Sequence, residues 1–345
     1  MQPRISVILP CYNVERWLPD CLESVFAALP EDAEAIAVDD GSADSTLAIL
    51  SGRARTEPRL KVVPIAHAGV SAARNRALDV ACGEYVFFID PDDTVEPDFF
   101  SSMLEAMIRD EADCCLCAYS EHEDGSDEFR TVRLKGDYHY ESNAVILADY
   151  LPRIFGYSFD DIRKWYAGTP LFARREMGGT CRMVYRRALI EARHVRFDET
   201  ISLYEDAMFN SEYLLGASAM TCVNRPLYRV TCRNSGAMRS MPQDGARYCR
   251  NKLCLLRKRD ALNRLAGGAL VPIYAATCVL SALEILSYVV RGRIRRDEGW
   301  RIFREYLGEP SVRAALSGFP LSVRRPVLAL SVLALRGLKW YNGRA

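Results

Sequence analysis

Over the first 120 residues the apolar positions switch repeatedly between two spacings. Ile5 to Pro10 (ISVILP) is a short, β-branched run that reads as a strand. Glu15 to Ala28 then places Trp17, Leu18, Cys21, Leu22, Val25 and Phe26 at helical spacing. Ala35 to Val38 predicts a second strand, with Ser42 placed to cap a helix over Ala43 to Arg55 and Asp44 in its first turn. Leu60 to Ile65 predicts a third strand and Val70 to Ala81 a third helix. Tyr85 to Ile89 (YVFFI) is apolar throughout, as expected of a strand buried on both faces. Pro97 to Arg109 predicts a helix with proline in its first turn, and Asp113 to Tyr119 a fifth strand. Strands alternating with helices predict an α/β fold, a mostly parallel sheet flanked by helices. In such sheets ligands bind at the carboxyl ends of the strands.

Beyond Tyr119 the rhythm breaks. Residues 120 to 143 read as a polar loop or hairpin, and 144 to 177 are mixed. Gly178 to Leu189 is glycine-rich, then apolar and basic; Glu205 to Leu215 is helical, and Met220 to Val230 strand-like. From about Ala246 the chain reads as helices rich in Leu and Arg. This gives a domain over 1–240, with a break between 1–119 and 120–240, followed by a basic helical region over 241–345.

Charge sharpens that division. Ala246 to Ala345 carries 19 Lys+Arg against 6 Asp+Glu, while the other residues carry 26 against 39. A basic tail suits an anionic surface such as phospholipid headgroups. The twelve cysteines show no disulfide framework, and Cys114-Cys115-Leu116-Cys117 sits in an apolar run that reads as a buried strand rather than a zinc site. The N-terminus runs straight into a strand without the pattern of a signal peptide, which sets the expectation of a cytoplasmic protein. No apolar stretch runs unbroken for the ~18 residues of a spanning helix; Ala269 to Val290 is interrupted by Pro272 and Glu284.

Three polar segments fall at predicted strand ends. Asp90-Pro91-Asp92-Asp93 follows the fourth strand, and three carboxylates this close repel one another unless a cation lies among them. Hard cations such as Mg²⁺ or Mn²⁺ take such oxygen ligands and share them with phosphates. Alone, the segment is equally an acidic turn. Asp39-Asp40-Gly41-Ser42 ends the second strand and offers carboxylates to a base N–H or a ribose hydroxyl, or is an ordinary strand-to-helix turn. His67 to Asn75 enters a helix on which Arg74 reaches a nucleotide or is a surface charge.

Taken in order, ISVILPCYN, VDDGSADST, AGVSAARNRAL and GEYVFFIDPDD resemble the family 2 glycosyltransferases of the GT-A fold, over about residues 4 to 110. A weaker resemblance continues through the run from Gly178 to Asn210, which contains Tyr204-Glu205-Asp206. The resemblance implies an inverting transfer of a sugar from a nucleotide diphosphate sugar, with UDP as the nucleotide, to an acceptor hydroxyl in cell-surface polysaccharide or glycolipid synthesis. It places Pro10, Tyr12, Asp39, Asp40, Arg74 and Asp90 at the nucleotide, with Asp40 favoured over Asp39 for the base. Asp92 would hold Mg²⁺ or Mn²⁺ on the pyrophosphate, supported by Asp93. Asp206 would be the general base, with Glu205 as the fallback.

One departure stands out. Many metal-dependent members of this fold carry a histidine after the base segment, whereas Tyr228 to Ser235 has none; Arg229 or Arg233 would neutralise phosphate instead. The expected partners are the donor, a glycan or lipid-linked acceptor, and a membrane surface met peripherally by the C-terminal helices, with no nucleic acid. Apolar Pro326 to Leu338, with Arg324-Arg325 before it and Lys339-Trp340-Tyr341 after it, carries the membrane expectation. Two rivals remain: a sugar-phosphate nucleotidyltransferase, whose glycine-rich first loop is replaced here by Pro10 to Glu15, and a non-catalytic nucleotide-sugar-binding protein.

Overall fold

The computed structural model describes residues 4–320, except 172, 174, 177 and 234–242. Its residues group into two compact units, 1–150 with 177–234, and 151–176 with 235–345. The sequence-based boundary at 240 therefore differs in one segment: 151–176 belongs with the C-terminal helices. The reason is local bonding. Tyr157 N–H donates to Thr277 Oγ1 at 2.6 Å and Arg259 Nε to the Phe155 carbonyl at 2.7 Å.

In the first unit, β1 (Ile5–Cys11), β2 (Ala33–Asp39), β3 (Leu60–Pro64) and β4 (Tyr85–Phe88) pair in parallel in the order β3-β2-β1-β4. β1, β2 and β4 are buried along their whole length, which is why they read as continuous apolar runs. Helices α1 (Leu18–Ala28), α2 (Thr46–Ala54), α3 (Val70–Leu78) and α4 (Phe99–Arg109) make the connections. α1 presents Leu18, Cys21, Leu22, Val25 and Phe26 to the core, as its spacing predicts.

The sheet continues with a change of direction. β8 (Met183–Arg186) lies antiparallel between β4 and β6 (Cys114–Glu123). β9 (Met220–Cys232) pairs parallel with β6 and antiparallel with β5 (Thr94–Val95), and β7 (Arg130–Val132) forms a hairpin on β6. The sheet is thus mixed, with its parallel half at the N-terminal edge. Cys114, Cys115 and Cys117 are buried on β6, as the apolar run implies.

Two helix starts differ from the sequence pattern. α1 begins at Leu18, because the preceding residues tie two loops together: Val14 N–H donates to Thr46 Oγ1, and the Glu15 carboxylate accepts from Ser45 N–H. α2 begins at Thr46, and Ser42 does not cap it; Ser42 Oγ accepts from Asn13 N–H at 3.0 Å.

The second unit is helical: Leu151–Phe155, Phe159–Tyr166, Gly245–Leu265, Val271–Val290, Arg296–Gly308 and Pro310–Gly318. Ser158 and Asp161 form a reciprocal cap on the second of these. Among the described residues, Val271–Val290 is the one helix long and apolar enough to cross a membrane, and half of its apolar window is buried inside the protein. Several basic residues here are already paired: Lys252 with Glu284 at 2.6 Å, and Arg257 with Glu305 and Glu309 at 2.7 and 3.0 Å. Pro326 to Tyr341 lies outside the described residues.

Candidate active site

The loops after β1 and β2 lock onto each other. Asn13, at φ 51°, accepts from Ala43 N–H through Oδ1 at 2.8 Å. Gly41 turns the chain at φ +69°, and a Cβ there would lie 2.9 Å from the His67 backbone nitrogen. Glycine is needed on both counts. Pro10 is buried within β1, beside Val38. Tyr12, 45% exposed, stacks on His67 with ring centroids 4.2 Å apart.

The Asp39–Asp40 pair divides its labour. Asp40 accepts from Ala68 N–H at 2.7 Å and Gly69 N–H at 2.9 Å, and His67 Nδ1 lies 2.9 Å from its carboxylate. It is committed to the start of α3. Asp39 accepts one long bond from Ser42 N–H, at 3.3 Å, while its Oδ1 is buried with no partner. Unpaired buried oxygens are costly, so Asp39 is the carboxylate with spare capacity.

Arg74 lies inside rather than on the surface. The guanidinium, buried on α3, donates from Nη2 to Asp90 at 2.9 Å, and from Nη1 to Asp206 at 2.7 Å and Glu205 at 3.2 Å. It also covers the Phe197 ring at 5.1 Å. Burial disfavours its charge, but Asp206, Asp90 and Glu205 outweigh that and hold it above the usual arginine range.

Glu205 and Asp206 open the helix Glu205–Leu214, preceded by Tyr204 in the left-handed region at φ 68°. A non-glycine residue there stores strain, a feature that clusters at functional sites. Asp206 Oδ2 also accepts a long bond from Thr180 N–H, at 3.4 Å. Burial pushes the Asp206 carboxyl up to about 7, with the neighbouring Glu205 and Asp90 adding to the rise and Arg74 opposing it.

The Asp90–Asp93 turn is held by β9. Tyr228 accepts from Asp90 N–H at 3.1 Å and donates to Asp93 Oδ2 at 2.8 Å, while Thr231 N–H donates to Asp93 Oδ1 at 2.8 Å. Burial, then Asp92 and Asp90, raise Asp93. Asp92 rises to about 6, through burial and then Asp90, with Arg233 opposing. Arg233 Nε sits 2.6 Å from Asp92, and its guanidinium covers the Trp17 ring at 4.7 Å. Arg229 is turned away, onto Glu96 at 2.7 Å.

Oxygens of Asp90 and Asp93 lie within 4.8 Å of one another and of Cys181 Sγ. The carboxylates suit a hard cation. The Cys181 thiol, a soft donor, does not match a hard cation. Sequence reasoning missed Thr180, Tyr228 and Trp17, none of which stands in a polar motif; their roles depend on contacts between distant segments.

Asp90, Glu205 and Asp206 meet on Arg74 in an α/β fold of the GT-A kind. Residues 6–170 match the family model described as Glycosyl transferase family 2. The uncharacterized glycosyltransferase EpsJ of Bacillus subtilis is 27% identical over 242 residues, 70% of this chain and 64% of EpsJ. The glycosyltransferase EpsH of the same organism is 31% identical over 228 residues, 66% of this chain and 60% of EpsH. The chain thus spans less than two thirds of either relative. S. aureus TarS 1–349 in complex with UDP-GlcNAc shares the fold at a TM-score of 0.55 and 19% identity, over 96% of this chain and 79% of that one.

Proposed function

We propose that this protein is an inverting glycosyltransferase that moves a sugar from a UDP-sugar to a hydroxyl of a cell-surface glycan or lipid-linked acceptor. The observation that carries the reading is the gathering of Asp90, Glu205 and Asp206, from distant segments, onto one buried arginine. The bacterial relatives and the UDP-GlcNAc complex of TarS support the reaction class and the nucleotide.

Tyr12 and His67 offer a flat surface to the base, and Asp39 accepts from its N–H. Asp90, from which Arg74 occupies one oxygen, takes the ribose. Asp92 would hold Mg²⁺ or Mn²⁺, and Asp93 braces the turn through both of its oxygens. The cation, when bound, supplies Lewis-acid neutralisation of the diphosphate. Arg233, beside Asp92, adds a fixed positive charge where other members of the family use a histidine.

Asp206 removes the proton from the attacking hydroxyl. A carboxyl at about 7 is well matched to a general base at neutral pH. Arg74 fixes its orientation and favours its ionised form. Attack on the face opposite the leaving nucleoside diphosphate inverts the anomeric centre. Glu205 shares the arginine and positions the charge cluster.

The test is a panel of UDP-, GDP- and dTDP-sugars with glycan and lipid-linked acceptors, read by mass spectrometry and anomeric NMR. Release of nucleoside diphosphate with an inverted product supports the reading. Release of pyrophosphate indicates nucleotidyl transfer, and donor binding without turnover indicates a binding protein. We further propose that the basic region 241–345 meets anionic headgroups peripherally. Salt-sensitive flotation with anionic vesicles supports this, and no flotation at low salt ends it.

A further inference from the structure

At the other end of the β6–β9 pair, a second group of side chains converges. Asp137 and His139 come from the segment after β7, and Cys222 from the start of β9. Tyr140 and Met220 exchange backbone hydrogen bonds at 2.8 and 2.9 Å, which brings the two segments together. Cys222 pairs with Leu116 and Tyr228 with Tyr119, three residues further along β6, on the order of 10 Å along the pair.

The proton arrangement around His139 can be worked out. Thr221 Oγ1 lies 2.5 Å from Asp110 Oδ2 and 2.8 Å from His139 Nδ1. Arg109 donates to both oxygens of the Asp110 carboxylate at 2.8 Å, so Asp110 accepts from Thr221. The single hydroxyl proton of Thr221 therefore goes to Asp110, and the hydroxyl oxygen accepts from Nδ1–H. In the neutral ring this leaves the Nε2 lone pair pointing at Asp137 Oδ1, 3.0 Å away. Two acceptors at that distance need a positive charge between them.

A proton is one such charge, but the third group favours a metal ion. Cys222 Sγ, almost fully buried, lies 3.8 Å from Asp137 Oδ1 and 3.9 Å from His139 Nε2. Tetrahedral coordination at about 2.0–2.1 Å to nitrogen and oxygen and about 2.3 Å to sulfur sets an N–O edge of about 3.3 Å and edges to sulfur of about 3.6 Å. Each observed separation is within about 0.3 Å of these values. Tyr138 N–H points at the sulfur from 3.3 Å, a donor that supports a thiolate.

We propose that Asp137, His139 and Cys222 form a binding site for one zinc-type divalent cation, separate from the active-site carboxylates. Asp110 and Thr221 hold the histidine ring, the carboxylate–histidine arrangement that orients metal-bound imidazoles. The mixed N, O and S donors select a borderline ion over Mg²⁺. The Cys222 proton leaves to solvent as the S–metal bond forms. Asp137 and His139 are exposed, so the fourth position opens to water, and the ion clips the 133–142 segment onto β9.

The test uses the full chain after chelator treatment. Titration with Co²⁺ is expected to give a near-ultraviolet thiolate-to-cobalt band that saturates at one equivalent and is displaced by Zn²⁺. The band should vanish in Cys222→Ser and persist in Cys82→Ser, which removes the exposed thiol. His139→Ala, at a surface position that tolerates change, should weaken Zn²⁺ binding at least tenfold, as should Asp110→Asn. No thiolate band in the wild-type chain, or an equal band in Cys222→Ser, would overturn the proposal.

Discussion

Arg74 and Asp206 are 132 positions apart in the chain, and their side chains meet at 2.7 Å. The guanidinium holds the base in place and opposes the effect of burial on its proton affinity. Transfer should therefore lose rate as pH falls through about 7, where Asp206 takes up a proton. Asp206→Asn should lower kcat by ~10²–10⁴-fold and leave donor affinity within a few-fold. Steady-state rates together with calorimetric titration of the donor check both parts.

Arg74→Met removes the charge that favours ionised Asp206. The base then titrates above its present value, and the half-maximal rate moves to higher pH. Three carboxylates also lose their counter-ion, which should cost about 3–5 kcal/mol of stability. A pH–rate profile and chemical denaturation separate the two effects. An unchanged acid limb would mean that another group is the base.

Asp39 and Asp40 should behave differently despite being neighbours. Asp40→Ala loses two charge-assisted bonds to backbone N–H groups, each worth about 1.5–3 kcal/mol, and should lower the melting temperature. Asp39→Asn should leave stability nearly unchanged and weaken UDP binding about tenfold or more, a loss of about 1.4 kcal/mol. Thermal melts and calorimetry with UDP decide between them.

Chelation should abolish transfer, and Mn²⁺ or Mg²⁺ should restore it. Asp92→Asn should raise the Mn²⁺ concentration needed for half-maximal rate. Arg233→Ala, which frees Asp92 from a 2.6 Å ion pair, should lower it while weakening donor binding. Metal titrations of activity on the two variants are expected to move in opposite directions.

Gly41→Ala places a Cβ against the His67 backbone at a positive φ. The left-handed conformation alone costs about 1–2 kcal/mol for a residue with a side chain. Urea denaturation should show at least that loss, with donor affinity falling as the β2 loop shifts.

Much of this protein follows from local pattern. Three apolar runs specified β1, β2 and β4, because a strand buried on both faces is largely apolar along its length, and β3, only partly buried, followed from its place in the strand–helix rhythm. The acidic turns marked the strand tips for the same reason: charged groups collect where a buried strand reaches solvent. Asp39, Asp40, Asp90, Asp92 and Asp93 could therefore be placed at strand ends, whereas the expectations for Tyr12 and Asp206 came from the resemblance to family 2 glycosyltransferases.

Other features depended on the assembled fold. Nothing local separates Asp39 from Asp40; only the approach of residues 67–69 commits one carboxylate and leaves the other spare. Arg74 resembles a surface charge on an amphipathic helix until Glu205 and Asp206 arrive from far along the chain. The antiparallel insertion of β8, the grip of Tyr228 on the acidic turn and the Asp137–His139–Cys222 cluster have the same origin. The sequence alone determined the parallel strands and their polar rim, because hydrophobic period and strand ends are properties of neighbouring residues. Tertiary structure alone decided which charges pair and which remain available, because partners distant along the chain are set by packing.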